Sequence, residues 1–433
     1  MKSAQQNNSS EEEYGMKKII FAAFCASILP LFAESLYFDG KTDKNPVLYQ
    51  VGEPMVFTIA LRDKDAENEI AKGHRITWTR LGDDGRTEKG NAVSDQPLII
   101  TTKSEKPGFV WIKVNILDEN GNPRKGIYEN FTGGAGAEVN KLQADSLPDD
   151  FKTFWDAEIQ KLHSTPYTKK ITEIASRDPA VKVLKFELST FPGDRPATGY
   201  ILYPVDAAKK SLPMLVNFTG YGFHKTNIPY SAGKKQLVVE VTRQGEEPDR
   251  EPEYYKNLQT VEMKGYCFRN NNDKHKNDFY GMYMRGQRAM QYAESLDLWN
   301  GKDITTSGGS MGAAQSIAAA ALNPKVTRCT AFIPWVADLA GKAKFKRLGG
   351  WAPEYTETLR YFDTANLASR VKCPAEITIG LGDYICPPSG QMILFRNLGG
   401  KKTLKIRQNM GHGRCLQPNP YEVIFNAVCK FYW

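Results

Sequence analysis

One serine in this chain stands where it could act as a nucleophile. Gly308-Gly309-Ser310-Met311-Gly312 joins a β-prone run, "DITTSGGS", to an alanine-rich helical run, "MGAAQSIAAAAL". A serine on a sharp strand-to-helix corner holds a strained backbone, so its neighbours two residues away, Gly308 and Gly312, must be small. The first amide of the helix, that of Met311, then points where an oxyanion would form. A blander reading of the same stretch is a small-residue turn that lets a helix pack closely on a sheet. What separates the two is whether the chain supplies a base and an acid in the right order.

The chain has five histidines. His74, His163, His224 and His275 read as ordinary surface or core residues. His412, in "NMGHGRC", follows the last β-prone run and lies downstream of Ser310. The order serine, acid, histidine makes it the general base. The acid belongs on a loop after a strand between the two, and Asp383 closes the apolar run "AEITIGLGD". Asp363 and Asp338 compete for the role, but their contexts suit capping better. Asp383 would hold the His412 imidazole in one tautomer and stabilise its charged form. The second oxyanion donor should come from the loop after an early strand. "VNFTGYG" offers Thr219-Gly220-Tyr221-Gly222, and the Tyr221 amide is the candidate.

These residues need a scaffold of strands that end at one edge. From residue 149 onward, β-branched runs alternate with helical ones, which argues for a mostly parallel sheet with helices on both faces. "DDFKTFWDAEIQKLH" opens this part as a helix with Asp149 and Asp150 as candidate caps, and "PYEVIFNAVCKFYW" closes it as another. In such sheets sites form at the carboxyl ends of strands. Residues 34–130 read differently: short β-branched and aromatic runs separated by turn material predict a small, Ig-like β-sandwich. Its Trp78 and Trp111 sit at strand spacing, where core packing is commoner than sugar binding. Residues 131–148, rich in small and polar residues, read as a linker.

At 433 residues the chain suits two domains, and 41% hydrophobic with 24% charged residues is the composition of an ordinary folded protein. The net charge of +8 is dispersed, with no basic block, so nucleic acid is not an expected partner. Residues 16–33 have the layout of a signal peptide, with Lys17 and Lys18 before an apolar run and Ala33 at the cut. Export to the periplasm or beyond is expected, with translation starting at Met16 and no membrane span once the segment is removed. Of seven cysteines, Cys25 leaves with that segment; the other six all lie in the second half, as free thiols or disulfides.

Taken together the motifs resemble the acetylxylan esterase and cephalosporin-C deacetylase family, carbohydrate esterase family seven, over residues 147–433. "LPDDFKTFWDAEIQKL", "PMLVNFTGYG", "SGGSMGAA", "LRYFDTANLASRVKCP" with "IGLGDYICPPS", and "MGHG" carry the likeness. Departures are Thr219 where a histidine is usual, Met311 for Gln, Ala313 for Gly and Gly413 for Glu. The family's Arg-Gly-Gln motif is reduced to "TRQG" at Arg243 and Gln244. The resemblance implies an α/β-hydrolase that removes small acyl groups, chiefly acetyl, from sugar hydroxyls and needs no metal or organic cofactor. It also implies an acetylated carbohydrate as substrate and a homo-oligomer, although the sandwich lies outside the family's usual extent. Two other readings remain open on the residues: a peptidase or glucuronoyl-type esterase on the same fold, and an inactive carbohydrate-binding protein.

Overall fold

The computed structural model describes residues 35–124, 130–413 and 418–426; the signal segment, Cys415 and Cys429 lie outside them. Eight strands come first: β1 (Leu36–Thr42), β2 (Met55–Asp63), β3 (Glu69–Ile70), β4 (Arg75–Gly82), β5 (Thr87–Val93), β6 (Leu98–Thr102), β7 (Gly108–Ile116) and β8 (Asn130–Ala137). They form two antiparallel sheets. In one, β2 pairs with β1, β3 and β6; the other runs β5-β4-β7-β8. Alternation sends Phe57, Ile59 and Leu61 of β2 inward against Val110, Ile112 and Val114 of β7, and Phe131 of β8 completes one shared apolar core.

The segment expected as a linker begins inside this sandwich. Residues 130–137 pair in register with β7 from Asn115 to Gly108. "NFTGGAGA" looks like turn material because it is glycine-rich, but its glycines sit in a paired strand where neighbouring atoms leave no room for a side chain. A Cβ on Gly134, for instance, would overlap the carbonyl oxygen of Leu381.

The second part is built on a ten-stranded sheet. Its strands are β9 (Lys169–Ile174), β10 (Val181–Leu188), β11 (Ala197–Pro204), β12 (Leu212–Phe218), β13 (Leu237–Val241), β14 (Trp299–Gly309), β15 (Arg328–Phe332), β16 (Ala375–Gly380), β17 (Lys402–Arg407) and β18 (Glu422–Asn426). The spatial order is β18-β17-β16-β15-β14-β12-β13-β11-β10-β9. From β13 to β17 the neighbours are parallel, and the pairs at either end are antiparallel. The chain goes from β12 out to β13 and returns to the other side of β12 as β14. That reversal opens a crevice at the carboxyl ends of β12 and β14.

The helix Met311–Leu322 follows β14 and is buried on every side, which its alanines allow. The first helix, Phe151–Ser164, starts after Asp150 and buries Phe151, Trp155 and Leu162. The Asp150 carboxylate makes no cap bond; it pairs with Lys274 and the Tyr361 hydroxyl. The closing helix is not formed over 422–426. Those residues are β18, an edge strand antiparallel to β17, consistent with the β-branched and aromatic run Val423-Ile424-Phe425. Cys267, Cys329, Cys373 and Cys386 are free thiols. No helix among the described residues is long and apolar enough to cross a membrane. From Leu36 onward the chain is a single unit, sandwich included.

Candidate active site

Ser310 has φ 55° and ψ −117°, a conformation open to few residues other than glycine. Steric need explains its neighbours: a Cβ on Gly308 would overlap the Gly312 backbone, and one on Gly312 would overlap the Phe218 carbonyl. Gly309 is under no such pressure, since the nearest atom to a Cβ there is 3.8 Å away. The strain is held from both sides. The Ser310 amide donates to Phe332 O at 2.9 Å, and its carbonyl accepts from the amides of Ala314 (3.1 Å) and Trp335 (3.2 Å).

Met311 opens the helix, so its amide is one of those left without a helical acceptor. Its side chain turns away from solvent, and its thioether accepts from the Tyr266 hydroxyl at 3.3 Å. Burial pushes the Tyr266 hydroxyl far above its ordinary range, so it remains a donor. The loop after β12 lies over this corner, because a Cβ on Gly220 would stand 3.6 Å from Gly309 O. The Tyr221 ring stacks on Tyr266 at 5.6 Å and meets Trp351 edge-on at 4.6 Å.

Two further buried side chains fix this loop. Gln315 donates to Thr219 O at 3.1 Å, and Arg243 Nε donates to Thr219 Oγ1 at 3.1 Å. Arg243 is itself fully buried and paired with Glu246 at 2.8 Å. Its other terminal nitrogen lies 3.3 Å from His224 Nε2. Gln315 had a readable signal: a long polar side chain in an otherwise alanine-rich buried helix must find a partner. Arg243 belonged to the displaced "TRQG" motif, whose purpose is visible only in three dimensions.

Asp383 and His412 stand after β16 and β17, the next strands but one and two from β14. His412 Nδ1 is 3.0 Å from Asp383 Oδ2 and 3.2 Å from Oδ1. The carboxylate is buried, and its Oδ1 accepts the amides of Ile385 and Cys386 at 2.9 Å each. The imidazole is partly open to solvent, its side chain 26% exposed. Cys386 sits where these groups meet Ser310. Its sulfur, an Asp383 oxygen and a His412 nitrogen all lie within 4.8 Å of one another. Burial and the Asp383 charge push the Cys386 thiol well up, opposed by a hydrogen bond from the Ser310 side chain. It is therefore a neutral thiol beside Ser310. Among the described residues these three are the one group spaced to hold a metal ion. The acid and the imidazole already satisfy each other.

The competing carboxylates are occupied elsewhere. Asp363 caps the short helix Thr364–Leu367 and takes the amides of Asp338 and Leu339, while Asp338 pairs with Arg347. His275 is paired with Glu158 at 2.9 Å. A concavity of about 1100 Å³ runs past Phe151, His163 and Leu322 at the far end of the Met311–Leu322 helix from Ser310. A small void of about 20 Å³ is lined by Trp335, Trp351 and Cys386. All seven residues singled out in the sequence thus gather at the carboxyl edge of one sheet, in two groups. Gly308, Ser310, Met311, Gly312 and Tyr221 flank the β12–β14 crevice, and Asp383 with His412 face it from β16 and β17.

The chain resembles known proteins over most of its length. The acetyl xylan esterase (AXE1) family matches residues 138–348 and 351–425. The acetyl esterase Axe7A of Xylanibacter ruminicola is 28% identical over 357 residues, 78% of this chain and 77% of that protein. Among solved structures, the acetyl xylan esterase of Paenibacillus sp. R4 superposes with a TM-score of 0.54 at 21% identity, covering 64% of this chain and 94% of that one. Acetyl xylan esterase 1 from Thermoanaerobacterium sp. JW/SL YS485 gives 0.55 at 19% identity, covering 64% and 93%. Both likenesses establish the α/β-hydrolase fold. With well over half of its length matched, the chain belongs to the acetyl xylan esterase family and is a carboxylic-ester hydrolase.

Proposed function

We propose that this esterase is exported and removes acetyl groups from sugar hydroxyls, as on acetylated xylan or its fragments, through Ser310, His412 and Asp383. The observation that carries the reading is the His412–Asp383 pair, 3.0 Å apart on the loops after two adjacent parallel strands, joined through Cys386 to a strained serine at the head of a buried helix. With Nδ1 committed to Asp383, Nε2 is the nitrogen left to take the serine proton. Ser310 Oγ attacks the acetyl carbonyl, and the negative oxygen is received by the amides of Met311 and Tyr221. The imidazolium returns its proton to the departing sugar oxygen. Water then enters, gives a proton to His412 and releases acetate from the acyl-serine.

Acetate release from acetylated xylan fragments, compared between the unaltered protein and Ser310→Ala, tests this directly. Release that vanishes in the variant supports the reading. Peptide cleavage by the unaltered protein, or a preference for acyl chains much longer than acetyl, would sink it. The export part is tested separately: the secreted protein's first residue should be Glu34, and an intact 16–33 segment would contradict it.

A further inference from the structure

The sandwich touches the acid and histidine loops, and it does so with built contacts. Trp111 of β7 is buried, and its Nε1–H donates to the carbonyl of Gly382 at 2.7 Å. Gly382 immediately precedes Asp383. The Trp111 ring also lies 5.7 Å from that of Tyr384, the residue after Asp383. One sandwich side chain therefore grips both neighbours of the acid.

β8 passes under the same two loops with its backbone bare. A Cβ on Gly382 would come within 2.6 Å of the Thr132 carbonyl, and one on Gly411 within 2.7 Å of Thr132 Oγ1. Gly411 immediately precedes His412. Just upstream, the buried Gln408 donates to Thr42 Oγ1 at 2.8 Å and the buried Asn409 to Gly40 O at 2.5 Å. The serine corner and the Tyr221 loop are held from within the large sheet by Phe332, Gln315 and Arg243.

We infer that the sandwich is a positioning element of the catalytic unit, setting Asp383 and His412 against Ser310, with Trp111 as its principal positioning residue. The inference rests on the acid and base roles proposed above. It makes the sandwich something other than a detachable sugar-binding module. Its job is to hold two loops that the parallel sheet alone leaves at the ends of strands near one edge. A hydrogen bond fixing one loop is worth enough to change the aligned population by roughly two- to tenfold.

The test is a double-mutant cycle in the full chain with a small acetate ester. Trp111→Phe keeps a ring in the wall and removes the N–H. It is expected to lower kcat by roughly two- to tenfold with KM unchanged. In an Asp383→Asn background the same substitution should cost nothing further, because the group it positions has lost its role. An equal loss in both backgrounds, a loss carried by KM, or no loss at all would overturn the inference while leaving the acid assignment intact. A wild-type kcat in Asp383→Asn alone would overturn the acid assignment, and the inference with it. Gly411→Ala supplies a second arm that does not depend on Trp111→Phe folding. Its kcat should fall, and Thr132→Ala in the same chain should restore it by removing the oxygen that the new methyl meets. Failure of that restoration overturns the contact with the histidine loop.

Discussion

Asp383→Asn exchanges one atom and should nearly abolish turnover. In the structure Asp383 Oδ1 accepts two amides, those of Ile385 and Cys386, each at 2.9 Å. An asparagine in this place must keep its oxygen on those two donors, since turning its NH2 toward them would set donors against donors. The NH2 then occupies the Oδ2 position, 3.0 Å from His412 Nδ1. Nδ1 can accept from it only if the ring proton moves to Nε2. That tautomer cannot take a proton from Ser310, and the imidazolium formed during attack loses its counter-charge. A wrong-tautomer substitution of this kind in a serine triad costs on the order of 10⁴ in kcat, about 5 kcal/mol of transition-state stabilisation. KM should stay within about twofold, because the acid touches no substrate. The two retained amide bonds should hold the denaturation midpoint close to that of the parent. Initial rates on a chromogenic acetate ester, set beside urea denaturation of the same preparations, make the measurement. A folded variant within about tenfold of the parent kcat would refute the reasoning, because a correctly oriented imidazole would then not need this carboxylate.

Met311→Ala should cost about 2–5 kcal/mol of stability by emptying a fully buried site, yet leave kcat within about threefold because the amide stays. A collapse of kcat in the folded variant would assign the work to the side chain. Arg243→Met strands the buried Glu246 carboxylate and should lower stability by roughly 3–5 kcal/mol in urea denaturation; a loss below about 1 kcal/mol would contradict the pairing. Glu240, buried in β13 and bonded to Asn217 at 2.6 Å, has its carboxyl pushed up to about 7 by burial. The folded chain thus holds this proton more tightly than the unfolded chain. The resulting stabilisation is complete below the ordinary carboxylate range and is lost as pH rises through about 7, by roughly 3 kcal/mol. Glu240→Gln should flatten the fall in stability between pH 5 and 8, and an unchanged slope would show that Glu240 is not its source.

What could be read from the sequence was local, and what could not was contact between distant segments. The serine corner is legible because Gly308 and Gly312 are demanded by atoms within a few residues of Ser310 or on the paired strand β12. Asp383 and His412 are legible because each follows a short apolar strand, and chain order does the rest. β8 escaped because glycine in a one-dimensional string signals a turn, whereas Gly134 is required by the carbonyl of Leu381, more than 200 residues away. Over 422–426 a strand stands in place of the expected helix for a related reason: Val423-Ile424-Phe425 suits a strand once β17 offers an open edge. The departures from the family pattern show the same limit. Thr219 and the reordered Arg243-Gln244 looked like separate losses. In space they are one feature, since Arg243 Nε donates to the threonine hydroxyl. The same guanidinium reaches His224 with its other end. A basic side chain just past the end of β13 thus anchors the loop that carries Tyr221 through the hydroxyl present at Thr219. The two substitutions make sense together, and neither does alone.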